Sequence, residues 1–402
     1  RDRLRSRGLG DVYKRQIMVL VITFQVRLVD CEPEVNRSRT LYVPYMSVKL
    51  KGKSDNESAN ASMSVRTGRE CFRALTTPEA VTLVSSAGKV RASVPAGSKA
   101  TADMVQTDEA FWSVFSFRFL SGAGFTRADC DAGLPRAVLS ATIARQLFGT
   151  TDVVGHTVQL NYIDYTVAGV VADVSMLATA AYAQIWVPYT AADAESLSWQ
   201  DDTMGPMHAV ILAHSSADFD AIRKETELLR QKYNDGLRDV EIFYRGQPDT
   251  QLAYLYRRWY AEPDVPGVML RYGIVIAILL LVPAVNLSGM TLSRMRRRMA
   301  EIGVRKAFGA TGGELIRQVF FENFVLTLLA GVVGLALSYA ATFLLNDFLF
   351  SNSTNAYLSG ETALTPGMLL SPWAFIAAFA FCLLMNVLSA GIPASVSYTH
   401  LT

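Results

Sequence analysis

The stretch Arg294–Glu314, RMRRRMAEIGVRKAFGATGGE, is rich in arginine and lysine but lies between two of the most apolar runs in the chain. The run GIVIAILLLVPAV (273–285) precedes it, and the run VLTLLAGVVGLALSYAATFLL (325–345) follows it. Runs of this composition are typical of helices that cross a membrane. The charged stretch therefore predicts a short loop between two membrane-spanning helices.

Three segments have the length of about 20 apolar residues that a bilayer requires. They cover about 271–292, 319–345 and 373–393. The apolar run 17–29, with 13 residues, is too short to span alone. We interpret 17–30 as the remnant of a first membrane helix, so the sequence predicts four spans.

The two termini of the chain differ in character from the rest. Residues 1–16, RDRLRSRGLGDVYKRQ, show neither helical nor strand periodicity, and residues 395–402 end in VSYTHLT. Both resemble translated adaptor sequence. We therefore expect them to be foreign to the natural protein, which is then truncated at both ends.

The distribution of basic residues predicts the orientation. The loop 294–317 is rich in lysine and arginine, whereas 346–372 contains neither. Short basic loops stay on the cytoplasmic side, so 294–317 is predicted inside the cell and region 31–266 outside the membrane. The residues that fix this topology, and that also suit anionic lipid headgroups, are Arg294, Arg296, Arg297 and Arg298.

Region 31–266 alternates short strands with helices, which predicts an α+β domain with two lobes. Residues 107–115 are predicted to form a helix with Thr107 as N-cap, and 141–148 a helix capped by Ser140 and ended by Gly149. The segments 156–160 and 165–174, joined by NYID, predict a β-hairpin.

The composition predicts no enzyme site, cofactor or metal in this chain. The formal net charge of +2 gives no general basic field for nucleic acid. No group has zinc-ligand spacing, and we interpret the histidines of the region as structural: His156, His208 and His214. Its three cysteines allow at most one disulfide and are more simply unpaired: Cys31, Cys71 and Cys130.

The second half of the charged stretch has helical periodicity. Its apolar stripe recurs at Ala300, Val304, Ala307 and Phe308. Glu301 and Arg305 form a favourable i,i+4 pair. A short rigid helix with an apolar stripe and flanking charges suits docking into the groove of a cytoplasmic partner.

Glycine spacing also predicts contacts inside the membrane. Gly331 and Gly334 lie on one face of the second apolar span. Small residues allow membrane helices to approach closely. We therefore expect these two glycines to line a helix-packing seam.

Two parts of the chain resemble one transporter class. TDEAFWSVFSFRFLSGAGFTRAD (107–129), PRAVLSATIARQLFGTTDVVGHTVQL (135–160) and YTVAGVVADV (165–174) resemble the periplasmic core domain of MacB-like permeases. RRRMAEIGVRKAFGAT (296–311) and the following apolar span are similar to the FtsX-type permease module of ABC transporters. The resemblance implies an α-helical membrane domain of four spans, the first truncated, with an α+β periplasmic domain between spans 1 and 2.

The resemblance also assigns a role to the coupling segment. In this family the Glu-Ile-Gly-x-Arg-Lys-Ala-x-Gly-Ala motif engages the nucleotide-binding subunit. Carried over to this sequence, with Phe308 on the apolar stripe, the ATPase-coupling residues are Glu301, Ile302, Gly303, Arg305, Lys306, Ala307, Phe308, Gly309 and Ala310.

The implied function is that of a permease subunit in a bacterial inner membrane. The only Gly-Lys-Ser, Gly52–Ser54, lacks the first glycine of a nucleotide-binding P-loop, so a separate cytoplasmic ATPase is expected to bind ATP and Mg²⁺. Two permease chains, as homodimer or paralogous heterodimer, are expected, with a periplasmic adaptor as a further candidate partner. Peptides, lipoproteins and other amphipathic compounds are the implied substrates.

An alternative function comes from another class of protein. An FtsX-like signalling protein would use the same membrane architecture to activate a periplasmic partner such as a cell-wall hydrolase. A third class, a membrane-anchored periplasmic enzyme, lacks any recognisable catalytic cluster in the sequence.

Overall fold

The computed structural model describes residues 30–95, 97–192, 194–258, 261–275 and 277–278, together with single positions between 304 and 344. The chain divides into two compact units. Described residues 30–265 belong to the first, here named the β-rich unit, and those from 266 onward belong to the second.

The β-rich unit is built from short strands with few helices. Its strands are β1 Thr40–Val43, β2 Met46–Leu50, β3 Ala59–Ala61, β4 Ala80–Ser85, β5 Gly88–Ser93, β6 Lys99–Thr107, β7 Phe119–Gly122, β8 Arg136–Ser140, β9 Thr157–Leu160, β10 Ile163–Val171, β11 Ile185–Pro188, β12 Met207–Leu212, β13 Val240–Phe243 and β14 Asp249–Thr250. Its α-helices are α1 Val65–Gly68, α2 Phe111–Val114, α3 Arg127–Asp131, α4 Ala141–Phe148, α5 Phe219–Gly236 and α6 Gln251–Tyr256.

Six strands close into a barrel. Around the ring the order is β6, β11, β8, β10, β9 and β5, and the parallel pairing of β11 with β6 completes it. Alternate residues fill the interior, among them Val90, Leu139, Val167 and Ile185. Because a closed ring leaves none of these six strands as a free edge, the barrel is protected from edge-to-edge pairing.

The barrel is one lobe of the β-rich unit, and the same sheet extends beyond it into the second lobe. Strands β4, β12, β1 and β14 follow β6 in order, and β13, β2 and β3 form a separate small antiparallel sheet. A second hydrophobic core, which includes Leu41, Met63, Phe72 and Ile222, lies in this lobe and is covered by α5. The prediction of an α+β domain with two lobes agrees with these two cores.

Local sequence rules account for several elements. Ser140 caps α4 by accepting a hydrogen bond from the Ile143 N–H, and Gly149 ends the helix in the left-handed conformation, both as predicted. The β9–β10 hairpin forms as predicted, with Asn161 and Tyr162 at positive φ in its two-residue turn.

The predicted helix at 107–115 is wrong in its extent. The α2 helix covers Phe111–Val114, and Thr107 is instead the last residue of β6. The Thr107 hydroxyl donates to the Leu83 carbonyl, and Asp108 accepts from the Leu83 N–H at 3.0 Å. Both side chains therefore join β6 to β4, because strand pairing competes successfully with the local capping pattern.

In the second unit, residues 266–275 are helical. None of the helices formed by described residues is long and apolar enough to cross a membrane. Most of the predicted spans 271–292 and 319–345, all of 373–393, and the predicted remnant up to residue 29 lie outside the described residues.

Candidate functional site

The two chain segments that lead into and out of the β-rich unit meet in one place. Strand β1 pairs antiparallel with β14, with Tyr42 opposite Asp249. The rings of Tyr42 and Tyr254 stack with centroids 4.5 Å apart and planes 12° apart. We name this region the junction, defined by Glu34, Arg37, Tyr42, Asp249, Tyr254 and Arg257.

The incoming segment is held by a buried ion pair. Arg37 Nε donates to Glu34 Oε2 at 2.8 Å, and both side chains are almost fully buried. The other Glu34 oxygen accepts the N–H groups of Ala180 and Ala181 at 2.7 and 3.0 Å. Arg37 also donates to the Leu177 carbonyl. The incoming segment is thereby fastened to the loop that precedes β11 of the barrel.

The outgoing segment carries a second buried ion pair. Arg257 donates to both carboxylate oxygens of Asp249, one of them at 2.8 Å, and both side chains are buried. Its remaining donors reach the carbonyls of Arg245 at 3.0 Å and Ala261 at 3.1 Å. The Arg245 side chain in turn donates to Ser47 Oγ at 2.8 Å. The outgoing segment is thus fastened to the second lobe.

The electrostatics of the junction follow from burial. Burial raises the pKa of the Asp249 carboxyl, and the hydrogen bond from Arg257 opposes this only in part. Burial also raises the pKa of the Tyr254 hydroxyl to about 12. Burial lowers the pKa of Arg37, but the adjacent Glu34 carboxylate outweighs it, so the net direction is upward. The Arg37 guanidinium remains charged at physiological pH.

The junction links the two chain segments through well-satisfied buried contacts. Buried ion pairs need good geometry and full hydrogen bonding to offset their desolvation, and both pairs here have additional backbone partners. Each of the two segments is attached to a different lobe, while β1 and β14 tie them together. The two segments are therefore connected to both lobes through buried contacts.

Two residues of the predicted coupling helix, Val304 and Phe308, are among the described residues. Val304 is helical, and the Phe308 N–H donates to the Val304 carbonyl at 3.1 Å, which is one turn of helix. Both side chains are exposed, Phe308 to 87 %. The remaining predicted coupling, topology and packing residues lie outside the described residues: Glu301, Ile302, Gly303, Arg305, Lys306, Ala307, Gly309, Ala310, Arg294, Arg296, Arg297, Arg298, Gly331 and Gly334.

The histidines occupy separate places in the β-rich unit. His208 is partly buried, with Nδ1 2.6 Å from the Pro44 carbonyl and Nε2 2.8 Å from Ser86 Oγ, and burial lowers its pKa. His156 packs edge-on against Phe148, and His214 is exposed. Across the described part of the chain, no three His, Cys, Asp or Glu side chains are grouped to hold a metal ion.

The three cysteines of the β-rich unit are free thiols. All three are buried, and burial raises the pKa of the Cys31 thiol to about 11 and those of Cys71 and Cys130 to about 12. Because the thiolate is the reactive form, these groups are chemically inert at neutral pH.

Sequence reasoning missed the junction. Glu34 and Arg37 have the spacing of an ordinary surface pair, and Asp249 and Arg257 are eight residues apart. Nothing local marks them as buried. The available signal was their position, because the arginine of each pair lies within about ten residues of the point where the chain joins the predicted membrane segments.

Each half of the chain matches a known family of protein domains. Residues 17–229 match the MacB-like periplasmic core domain, and residues 273–400 match the FtsX-like permease C-terminal domain. This combination defines a permease of the ABC transporter class. The chain belongs to the family that carries the MacB-like periplasmic core domain, whose permeases are membrane proteins with a periplasmic domain.

Individual relatives are distant in sequence. The chain is 26 % identical over 57 % of its length to the pyoverdine export ATP-binding/permease protein PvdT of Pseudomonas aeruginosa, and 27 % identical over 60 % to the ABC transporter permease YknZ of Bacillus subtilis. The matched part spans 33 % of PvdT and 57 % of YknZ. A solved structure, the periplasmic region of MacB from Actinobacillus actinomycetemcomitans, is 17 % identical over 51 % of this chain and 90 % of that one, with a TM-score of 0.36.

Proposed function

We propose that this chain is the membrane-embedded permease subunit of an ABC exporter in a bacterial inner membrane. ATP hydrolysis on a separate cytoplasmic subunit would move the coupling segment 301–310, and the movement would pass through the spans to the β-rich unit. The observation that carries the proposal is the order of the two family matches, a periplasmic core domain followed by a permease domain.

The substrate class is proposed from the resemblance and the relatives. Two relatives are named for the export of pyoverdine and of macrolides. We propose that this chain acts on peptides, lipoproteins or other amphipathic compounds at the periplasmic side. Two copies, or this chain and a paralogue, would form the complex, and a periplasmic adaptor would extend it.

Several observations support coupling at 301–310. The described residues Val304 and Phe308 are one helical turn apart and present apolar side chains to solvent. An exposed apolar stripe flanked by charge is what helix-in-groove recognition requires. The sequence supplies the charges through Glu301 and Arg305.

The test exchanges these charges. In the full chain, Glu301→Lys with Arg305→Glu should abolish co-purification with the proposed cytoplasmic ATPase subunit, while the chain still resists carbonate extraction from membranes. The matched control exchanges another i,i+4 pair, with Arg66→Glu and Glu70→Lys in the β-rich unit, and should leave the complex intact. Retention of the ATPase by the first variant would refute the docking assignment.

A further inference from the structure

One end of the β-rich unit carries a cluster of aromatic side chains around Trp112. Rings of Phe117, Phe119 and Phe125 lie 5.2, 5.5 and 5.2 Å from the Trp112 ring, and Trp186 lies 6.4 Å away. Phe125 and Trp186 are fully buried, whereas the other three are only partly buried. Together Trp112, Phe117 and Phe119 form what we name the aromatic patch.

The patch lies beside the incoming segment of the chain. The Ser116 N–H donates to the Pro33 carbonyl at 2.9 Å, and the Ala172 N–H donates to the Arg118 carbonyl at 2.9 Å. Pro33 is four residues from the end of the apolar run 17–29, a distance that extended chain covers in at most about 14 Å. Only four residues of chain therefore separate the proposed first membrane helix from the segment that contacts the patch.

The polar residues around the patch suit a lipid headgroup. Arg118 and Ser116 alternate with the aromatic side chains and are exposed, and Glu32 is exposed beside Pro33. Tryptophan and other aromatic side chains are favoured at the boundary between headgroups and acyl chains. A guanidinium and a carboxylate together match the phosphate and the ammonium of a zwitterionic headgroup.

We propose that the aromatic patch of the β-rich unit rests on the outer surface of the bilayer, with Arg118 and Glu32 at the level of zwitterionic headgroups. This rests on the proposed function, since it requires that the chain is embedded in a membrane. Contact with lipid would give the β-rich unit a fixed support beside the junction. Movement of the incoming segment would then turn the unit about that support.

Strand β10 supplies an internal reference for a test. Its last residue, Val171, pairs with Phe119, whereas its first residue, Ile163, lies at the tip of the β9–β10 hairpin. Nine strand residues separate the two ends by about 26 Å. Ser116 and Ile163 are both exposed, so each accepts a label without repacking of the core.

The experiment uses the full chain with Cys382→Ser, in vesicles of phosphatidylethanolamine and phosphatidylcholine doped with a nickel-chelating lipid. A nitroxide is attached at Ser116→Cys or at the control Ile163→Cys, and the buried native thiols of the β-rich unit do not compete. We expect the nickel headgroups to enhance the relaxation of the label at 116 several-fold more than that at 163.

The outcomes separate the two proposals. If the chain resists carbonate extraction but the label at 116 relaxes no faster than the label at 163, the lipid contact is overturned and the proposed function stands. If carbonate releases the chain, membrane embedding and lipid contact are both overturned. Enhancement at 116 alone, lost when the nickel lipid is omitted, supports the contact.

Discussion

The junction and the tip of the β9–β10 hairpin show opposite ways of using a polar residue. The junction holds two buried ion pairs, in which each carboxylate has a guanidinium partner and each pair has further backbone hydrogen bonds. At the hairpin tip, Tyr162 is 80 % exposed and adopts a φ of +71°. The junction has its charges removed from water, and the hairpin tip has a bulky side chain in a conformation that suits glycine.

This difference indicates which of the two regions, the junction or the hairpin tip, tolerates substitution. A buried ion pair that loses one partner leaves an uncompensated charge, which costs far more than the pair contributes. Removing the conformational strain of a turn residue favours the folded state. The junction is therefore sensitive to substitution, whereas the hairpin tip tolerates it.

The largest expected effect comes from breaking the junction. Arg37→Met leaves Glu34 buried without its cation, and the free energy of unfolding should fall by about 3–5 kcal/mol. Thermal unfolding of the full chain in detergent, followed by tyrosine and tryptophan fluorescence, measures the loss.

Two variants serve as controls for this prediction. Adding Glu34→Gln to Arg37→Met removes the charge that was left behind and should recover part of the stability. Arg66→Met breaks a solvent-exposed pair with Glu70 and should cost less than about 1 kcal/mol. Equal losses from Arg37→Met and Arg66→Met would contradict the importance of burial.

Asp108 sharpens the comparison because it is a buried carboxylate with a more distant cation. Arg73 Nε lies 3.8 Å away, and Thr82 Oγ1 donates at 2.7 Å. Burial raises the pKa of Asp108 from 3.8 to about 6, although Arg73 and the hydrogen bonds oppose this and Glu109 adds to it. Pairing at this distance does not compensate the desolvation of the Asp108 carboxylate.

The raised pKa fixes the sign of a pH dependence. The folded protein binds the Asp108 proton more tightly than the unfolded chain, so the associated stability is fully present below pH 3.8 and is lost as pH rises through about 6. The full difference is on the order of 3 kcal/mol.

Unfolding temperatures measured between pH 4 and pH 7.5 test this prediction. As pH rises over this range, the unfolding temperature of the native chain should fall more, or rise less, than that of Asp108→Asn, whose side chain cannot ionise. Parallel curves for the two proteins would show that Asp108 titrates normally.

Features governed by neighbouring residues were predictable from sequence. Ser140 and Gly149 mark the two ends of α4 through capping chemistry that involves residues three or four positions away. The hairpin at Asn161 and Tyr162 follows from alternating apolar residues on either side of a short polar link. The family resemblance rests on such local motifs and was confirmed.

Features that depend on distant residues were not predictable. Barrel closure joins β6 to β11, about 80 residues apart in sequence. Asp108 has the pattern of a first-turn helix residue, but Thr82 and Leu83 draw it into the sheet. The assignment of Glu301–Ala310 to ATPase coupling stays a prediction from sequence and resemblance.

The smallest expected effect is at the hairpin tip and has the opposite sign. Tyr162→Gly relieves a left-handed conformation that costs about 1–2 kcal/mol, and it gives the Asn-Gly pair preferred in such turns. Greater freedom of glycine in the unfolded chain offsets about 0.5–1 kcal/mol, and the exposed hydrogen bond from Arg91 to the Tyr162 hydroxyl is lost. The unfolding temperature should therefore rise slightly.

The neighbouring control Ile163→Gly, in the strand itself, should lower the unfolding temperature. A fall with both variants would mean that Tyr162 stabilises the fold and that the tip is as sensitive as the junction.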